Sequence, residues 1–396
     1  MKDRTVLVPL GNMCGQDRSA VLPDSKEATT LRYVGMEHVE SGTGRISLHV
    51  PATQPITGQC FRFDSRHVLY GKLRPYLNKV AVPDFEGRCS TELIPLLPAD
   101  GVDRTYLAYT LRHPSTVDAA MGEKTGSRMP RADMTGLMRQ KVALPPLAQQ
   151  REIVARLDAQ LAAAARARVA VAAQLADTER MMQRWIDNQF LAASQSGTGT
   201  VRLETAAEIQ AGVTLGKDYP PRETIMVPYL RVANVKDGRL DLTNVKSIAV
   251  PPKVARALAL RFGDLLLTEG GDPDKVGRGT LWQNELPVCI HQNHIFRVRF
   301  DLTRFDPVYL GLQFRSAYAK AYFLAHAKQT TGIASINQQV LRAYPLLAKS
   351  LTEQQALVAI YGELNTPADR VITALRQQLT ELDHLPAALL RAAFAF

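Results

Sequence analysis

Apolar residues along this chain alternate between two spacings. In "HVLYG" and "ELIPLL" they come as short runs bounded by polar, Gly- and Pro-bearing turns, which predicts strands. From Ala148 to Ala193 the chain has no Pro or Gly and is rich in Ala, Gln, Arg and Leu. There Leu157, Leu161, Ala164, Arg168, Val171, Leu175, Thr178, Met182 and Trp185 follow alternating steps of four and three. That is a heptad seam with two polar interruptions, and it predicts one long helix spanning roughly 70 Å. Pro145-Pro146 ends the strand pattern just before it. A second helical pattern follows residue 348, where Leu375, Leu379, Leu382, Leu385 and Leu389 keep one face. Gly362 and Pro367 are expected to break it early, with Asn365 or Thr366 capping a restart, and Pro386 to bend it.

The two patterns belong to a duplication. "LRYVGMEHVESGTGRISL" (31–48) parallels "VPYLRVANVKDGRLDL" (227–242), each reading as strand, Gly turn, strand. "DSRHVLYGKLRPYLNKVAV" (64–82) parallels "RFGDLLLTEGGDPDKVGRG" (261–279), each an apolar strand followed by a polar, basic loop. "CSTELIPLLPADGVDRTYLAYTLR" (89–112) parallels "HQNHIFRVRFDLTRFDPVYLGLQFR" (291–315), a strand followed by a helix. "KTGSRMPRADMTGLMRQKVALP" (124–145) parallels "QTTGIASINQQVLRAYPLL" (329–347), and "LPPLAQQREIVARLDAQL" (144–161) parallels "YPLLAKSLTEQQALVAIYGEL" (344–364). The later copies recur after about 205 residues, a period too long for a solenoid. The expected organisation is a head domain over 1–147, a helix and linker over 148–198, a second head over 199–347 and a second helix over 348–396. The fold class is α+β, with two mixed heads separated by long helices that pair as an antiparallel coiled coil, pseudo-twofold in arrangement.

Composition narrows the function. A chain of 396 residues with 46% hydrophobic and 22% charged positions suits two or more globular cores. The net charge of +10 favours a polyanionic partner, because Lys and Arg on phosphates release condensed counterions. The four cysteines, Cys14, Cys60, Cys89 and Cys289, form no C-x-x-C pair, so incidental thiols are expected. No h-region or long apolar run is read, and the cytoplasm is the expected compartment.

The residues offer little for catalysis. "LPPL" and "DYPPRE" lack the tetrad with which an adenine methyltransferase grips a flipped amino group. "EGGDPDKVGRGT" (269–280) is Gly-rich without phosphate-loop spacing and reads as a DNA-facing loop. "PDSKE" and "DPDK" hold nuclease-type residues without a spaced constellation. "CIHQNH" brings Cys289, His291 and His294 close in sequence, but no fourth ligand lies nearby, so no metal site is expected.

The order of elements, with "LPPLAQQREIVARLD", "LTEQQALVAIYGEL", "VPYLRVANVKDGRLDL", "LRYVGMEHVESGTGR", "CIHQNHIFRVR" and the two Thr-Gly segments, resembles the specificity (S) subunits of type I restriction–modification systems across essentially the whole chain. Departures are Gln149, where the family often has Glu, and a second phrase without Pro-Pro. The resemblance implies a non-catalytic subunit of a methylating and ATP-dependent DNA-cleaving complex. Each head would read one part of a bipartite, asymmetric site in double-stranded DNA. The helices would set the gap and dock two methyltransferase (M) subunits, with restriction (R) subunits as optional partners. No cofactor is implied on this chain; S-adenosylmethionine belongs to the methyltransferase partner, and ATP with Mg to the restriction partner.

Loop chemistry supplies candidate contacts, because bases are read by Arg, Lys, Asn, Gln, Ser and Thr and phosphates by cations and hydroxyls. In the first head these are Lys72, Arg74, Tyr76, Lys79, Lys124, Thr125, Ser127, Arg128 and Arg131. In the second they are Thr268, Lys275, Arg278, Asn293, His294, Lys328, Gln329, Thr330 and Thr331. Leu157, Leu161, Val171, Leu175, Met182, Trp185, Leu375, Leu379, Leu382 and Leu389 are expected in helix pairing or at the methyltransferase interface, and Met181 and Phe190 share that apolar character. Two other readings stay open: an S-like subunit of a type II restriction–modification enzyme, distinguished by its neighbouring genes, and a coiled-coil adaptor that binds no nucleic acid, distinguished by shallow salt dependence.

Overall fold

The computed structural model describes residues 5–47, 58–122, 129–216, 219–272, 276–330 and 332–395. The chain divides into two compact units, Met1–Ala172 with Gln377–Phe396 and Ala173–Arg376. The division cuts through both long helices, so each unit contains a head and a part of each helix.

Both units are built on one scheme. In the first, the strands Cys14–Gln16, Leu93–Pro98, Val68–Gly71 and Val80–Ala81 form a four-stranded antiparallel sheet in that order. In the second, Ala207–Ala211, Ile295–Phe300, Leu265–Thr268 and Gly279–Leu281 do the same. Their central strands are nearly all buried, which is why "VLYG" and "LLLT" read as continuous apolar runs. Each unit has a second sheet with one parallel pair, four-stranded in the first unit, where Arg32–Val34 pairs with Gly87–Ser90, and three-stranded in the second, where Ile225–Leu230 pairs with Ile290–His291. Each head closes by pairing its first strand with its last, Val6–Pro9 with Lys141–Leu144 and Thr200–Arg202 with Pro345–Leu347.

The heads pass into helices Leu147–Gln195 and Leu351–Ala393. The seam read from sequence is largely the buried face. Leu157, Ala164 and Met182 are buried, with Ile153, Ile186, Phe190 and Ala193 beside them, while Leu161, Val171, Leu175 and Trp185 are half-buried. On the last helix Leu375 is buried and Leu379, Leu382, Leu385 and Leu389 are half-buried. The helices run antiparallel within each unit. In the first, Arg168 Nε lies 2.6 Å from Asp383 Oδ1, and Ile153 and Leu157 share a core with Leu390 and Ala393. In the second, Arg376 Nη2 lies 2.8 Å from Glu179 Oε1, and the Trp185 and Tyr361 rings are 5.9 Å apart. Met181 is exposed, whereas Phe190 is fully buried in the core of the second head.

One expectation is overturned. The last helix does not break at Gly362 or Pro367, nor restart at Asn365 or Thr366; it is continuous from Leu351 to Ala393, through Pro386 as well. Gly362 and Pro367 are both exposed, so the carbonyl that Pro367 frees can turn to water. The buried face, with Leu357, Val358 and Tyr361 before the two residues and Ala368 and Leu375 after them, outweighs the local propensity cost. Its start is fixed by a capping box: Glu353 Oε2 accepts from the Ser350 amide at 2.9 Å, and Ser350 Oγ accepts in turn from the Glu353 amide.

Candidate nucleic-acid interface

In the first unit the strand Val68–Gly71 runs out into a loop that is stitched to the segment following residue 129. Arg74 N donates to the Pro130 carbonyl and Ala132 N to the Lys72 carbonyl, both at 2.7 Å. Two loops chosen from sequence on chemistry alone are therefore neighbours. At their root the Glu92 carboxylate lies 3.0 Å from Arg131 Nη2 and 4.0 Å from Lys72 Nζ. Its hydrogen bond and charge push the Arg131 guanidinium further up from the ordinary arginine range.

The tip of this loop is a stiff turn. Arg74 (φ 53°) and Asn78 (φ 49°) are both left-handed and bracket the short helical turn Pro75–Leu77. A side chain with a Cβ pays a steric cost there, least for Asn, so surrounding bonds must hold the turn. The Arg74 amide bond to Pro130 does so, with Asn78 Nδ2 donating to the Arg112 carbonyl at 3.0 Å and Lys79 Nζ to the Met36 carbonyl at 2.7 Å. Lys79 is thus turned inward, while Tyr76, 52% exposed, stands at the tip. Arg131 is also exposed, and Lys72 and Arg74 are half-buried. Lys124, Thr125, Ser127 and Arg128 lie outside the described residues.

The second unit repeats the backbone scheme with other side chains. Thr268 is fully buried, its amide and hydroxyl both donating to the Arg278 carbonyl, so it secures the loop root. Gly270–Gly271 pairs with Ile333–Ser335, which pairs with Lys328–Thr330 in a small three-stranded sheet. Lys328 and Gln329 are exposed on it, Arg278 and Asn293 are half-buried, and His294 is exposed with Nδ1 2.6 Å from Glu269 Oε2. Lys275 and Thr331 lie outside the described residues, as does the side chain of Thr330.

The correspondence is residue by residue. Glu269 N donates to the His294 carbonyl and Ile336 N to the Glu269 carbonyl, as Lys72 N donates to Glu92 and Ala132 N to Lys72. Gly71 pairs with Leu93 as Thr268 pairs with Ile295. Lys72 therefore corresponds to Glu269, Glu92 to His294 and Arg131 to Ser335. Sequence reading missed Glu92, Glu269 and Ser335. The available signal was position: Glu92 and His294 each stand immediately before the long sheet strand in "CSTEL" and "HQNHI".

The second head also contains buried polar groups. Asp264, 1% exposed, accepts from Arg299 Nε and Nη2 at 2.7 and 2.6 Å. Arg297 donates to Glu208 at 2.6 Å. His291 is fully buried, and burial pushes its imidazole down to about 4. Cys289, His291 and His294 do not converge: Cys289 bonds the Ile290 carbonyl, His291 faces the Gln210 carbonyl and His294 faces Glu269. Among the described residues no cluster of three or more His, Cys, Asp or Glu side chains is placed to hold a metal, and no helix is long and apolar enough to cross a membrane.

Beside the helices of the second unit a cleft of about 930 Å³ is lined by Met182, Tyr361 and Ile372 together with Arg180, Arg239 and Arg376. On the outer side of the last helix Ile360, Leu364 and Val371 are exposed at helical spacing.

Against known proteins, no family model matches the chain. It is 28% identical over 127 residues to the type I restriction enzyme EcoDI specificity subunit of Escherichia coli, covering 32% of this chain and 28% of that one. It is 23% identical over 266 residues to the StySPI specificity subunit of Salmonella potsdam, covering 64% and 56%. Its homologues are type I restriction specificity subunits. The matched stretches span less than two thirds of these specificity subunits' own length. The fold agrees over the whole chain. A chain from a structure describing complex assembly and conformational transition of a type I restriction–modification system superposes with a TM-score of 0.76 at 21% identity, covering 100% of this chain and 99% of that one. The HsdS subunit from Thermoanaerobacter tengcongensis gives 0.56 at 20% identity, covering 98% and 96%.

Proposed function

We propose that this chain is the DNA-reading specificity subunit of a type I restriction–modification complex. The observation that carries this is the duplicated loop cluster: one backbone scheme in both heads, presenting Lys72, Glu92 and Arg131 in one and Glu269, His294 and Ser335 in the other. Equivalent surfaces with different donors and acceptors suit two unlike blocks of bases, hence a bipartite, asymmetric site. The heads would be residues 1–147 and 199–347, and the spacer segments 148–198 and 348–396.

On this reading Tyr76, Arg74 and Arg131 meet DNA in the first head, and Lys328, Gln329 and His294 in the second. Lys79 and Thr268 serve by holding their loops. The chain has no catalytic role of its own. Two methyltransferase subunits, bringing S-adenosylmethionine, would dock along the helices, where the exposed Ile360, Leu364 and Val371 stripe and the arginine-lined cleft offer apolar and cationic surface. Restriction subunits, bringing ATP and Mg, would complete an adenine-methylating and DNA-cleaving assembly in the cytoplasm.

Binding to random duplex DNA across a salt series tests the partner class. A protein that neutralises several phosphates loses affinity by about a thousandfold or more between 50 and 200 mM salt. Salt-insensitive binding would instead favour an adaptor.

A further inference from the structure

The phrase repeated in the two halves, "AQQREI" and "TEQQAL", places a glutamine in the first turn of each long helix. Gln150 is 1% exposed and Gln354 fully buried. Gln150 Nε2 donates to the carbonyls of Gly101 (3.0 Å) and Pro145 (2.8 Å), and its Oε1 accepts from the Asp103 amide (2.8 Å). Gln354 Nε2 donates to the carbonyls of Arg304 (3.2 Å) and Lys349 (2.8 Å), and its Oε1 accepts from the Asp306 amide (2.9 Å). The same three bonds are made about 204 residues apart, to corresponding backbone groups whose own side chains differ.

Each glutamine ties three pieces of its unit together. One is the helix on which it sits. The second is the chain leaving the head's last strand, at Pro145 or Lys349. The third is the turn before the head's own helix, where Asp103 or Asp306 caps that helix with its carboxylate. A tyrosine from the capped helix closes the joint: Tyr106 donates to the Ala143 carbonyl at 2.9 Å, and Tyr309 to the Leu347 carbonyl at 3.2 Å. A primary amide suits this task because it offers two donors and an acceptor in one plane. Glutamate lacks the donors, and an apolar side chain would leave all three backbone groups without this partner.

Two independent copies of one clasp stand where each head passes into the helix that follows it. We propose that Gln150 and Gln354 are positioning residues that set the angle between each reading head and its helix, and so the gap at which two DNA blocks are accepted. The inference rests on the DNA-reading proposal above. It assigns gap discrimination to the joints as well as to helix length. Each added base pair turns a block by roughly 34° around the duplex, so a slack joint would tolerate gaps that a rigid one rejects.

The test uses the full chain in complex with its methyltransferase subunits, and duplexes carrying both selected blocks at the preferred gap and at gaps one base pair shorter and longer. Wild type is expected to prefer its gap by about tenfold or more, and Gln150→Met and Gln354→Met to bring that preference below about threefold with base preference inside each block unchanged. Affinity falling equally at every gap, or an unchanged preference, overturns the proposal. Amide exchange decides the clasp without DNA. In the Met variants the Asp103 and Asp306 amides should exchange about tenfold faster, while strands Val68–Gly71 and Leu265–Thr268 keep their protection. Unchanged exchange also overturns it. If a Met variant loses strand protection as well, Tyr106→Phe or Tyr309→Phe, which removes one hydroxyl bond of the same joint, takes its place. A wild type indifferent to gap refutes the DNA reading instead, and leaves the exchange result to judge the clasp.

Discussion

The Glu269 carboxylate lies 2.6 Å from His294 Nδ1 in the register where the first unit sets Lys72 against Glu92. The backbone bonds around the two pairs are the same, and the carboxylate has changed sides. Scaffold and side-chain chemistry are thus separable in this protein: the duplicated sheet and loop path persist while the side chains of one facing pair are exchanged.

Glu269→Ala should therefore alter base preference in one block of the site and leave the other untouched. A carboxylate at a groove accepts from the cytosine amino group, so discrimination at one position should relax by about 1–3 kcal/mol. Glu92→Ala should do the same in the other block. Selection from random duplexes with each variant reads both. Stability should change little, because pairs with this much access to solvent contribute about 1 kcal/mol or less.

Phosphate contacts should show differently. Lys328→Ala, which removes an exposed cation beside the base-reading cluster, is expected to weaken binding to all sequences and lower the slope of log affinity against log salt by about one. The Thr268→Val variant removes only the hydroxyl bond to the Arg278 carbonyl, so its effect should be confined to the second block. Fluorescence anisotropy at several salt concentrations separates a slope change from a uniform offset.

Much of this organisation could be read from sequence. The heptad seam through Leu157, Ala164 and Met182 and the Pro-Pro stop depend on spacing and backbone chemistry, which are local. The duplication also survives in sequence, because strands such as "VLYG" and "LLLT" are buried in both copies. The continuity of the last helix was not legible: Gly362 and Pro367 carry breaking propensities, and tertiary burial at Tyr361, Ala368 and Leu375 overrides them. The loop candidates were chosen by residue type, which cannot reveal that the Lys79 ammonium turns inward to Met36 or that Thr268 is buried. The Gln150 and Gln354 clasps escaped because glutamine in a helix usually faces water, and only its recurrence marked it.

Gly362→Ala should stabilise the protein. The position is helical, exposed and has open space where a Cβ would stand. Alanine removes unfolded-state freedom and is expected to add about 0.5–1 kcal/mol, read as a higher urea midpoint without a change in slope.

Acid should weaken the second unit through His291. Burial holds its imidazole neutral, with a pKa of about 4 in the fold against about 6.5 when unfolded. The unfolded chain then binds more protons between these values. The contribution is complete above about pH 6.5 and is lost as pH falls toward 4, by an amount on the order of 3 kcal/mol. Urea titrations of wild type and His291→Gln across this window should show a flatter pH dependence in the variant.

The most direct test of the account is a selection from random duplex DNA with this chain bound to its methyltransferase subunits. The account predicts two short, unlike blocks at one fixed gap, with the gap changing when the Leu147–Gln195 helix is lengthened. A single enriched block, or binding without enrichment and without salt dependence, would contradict it.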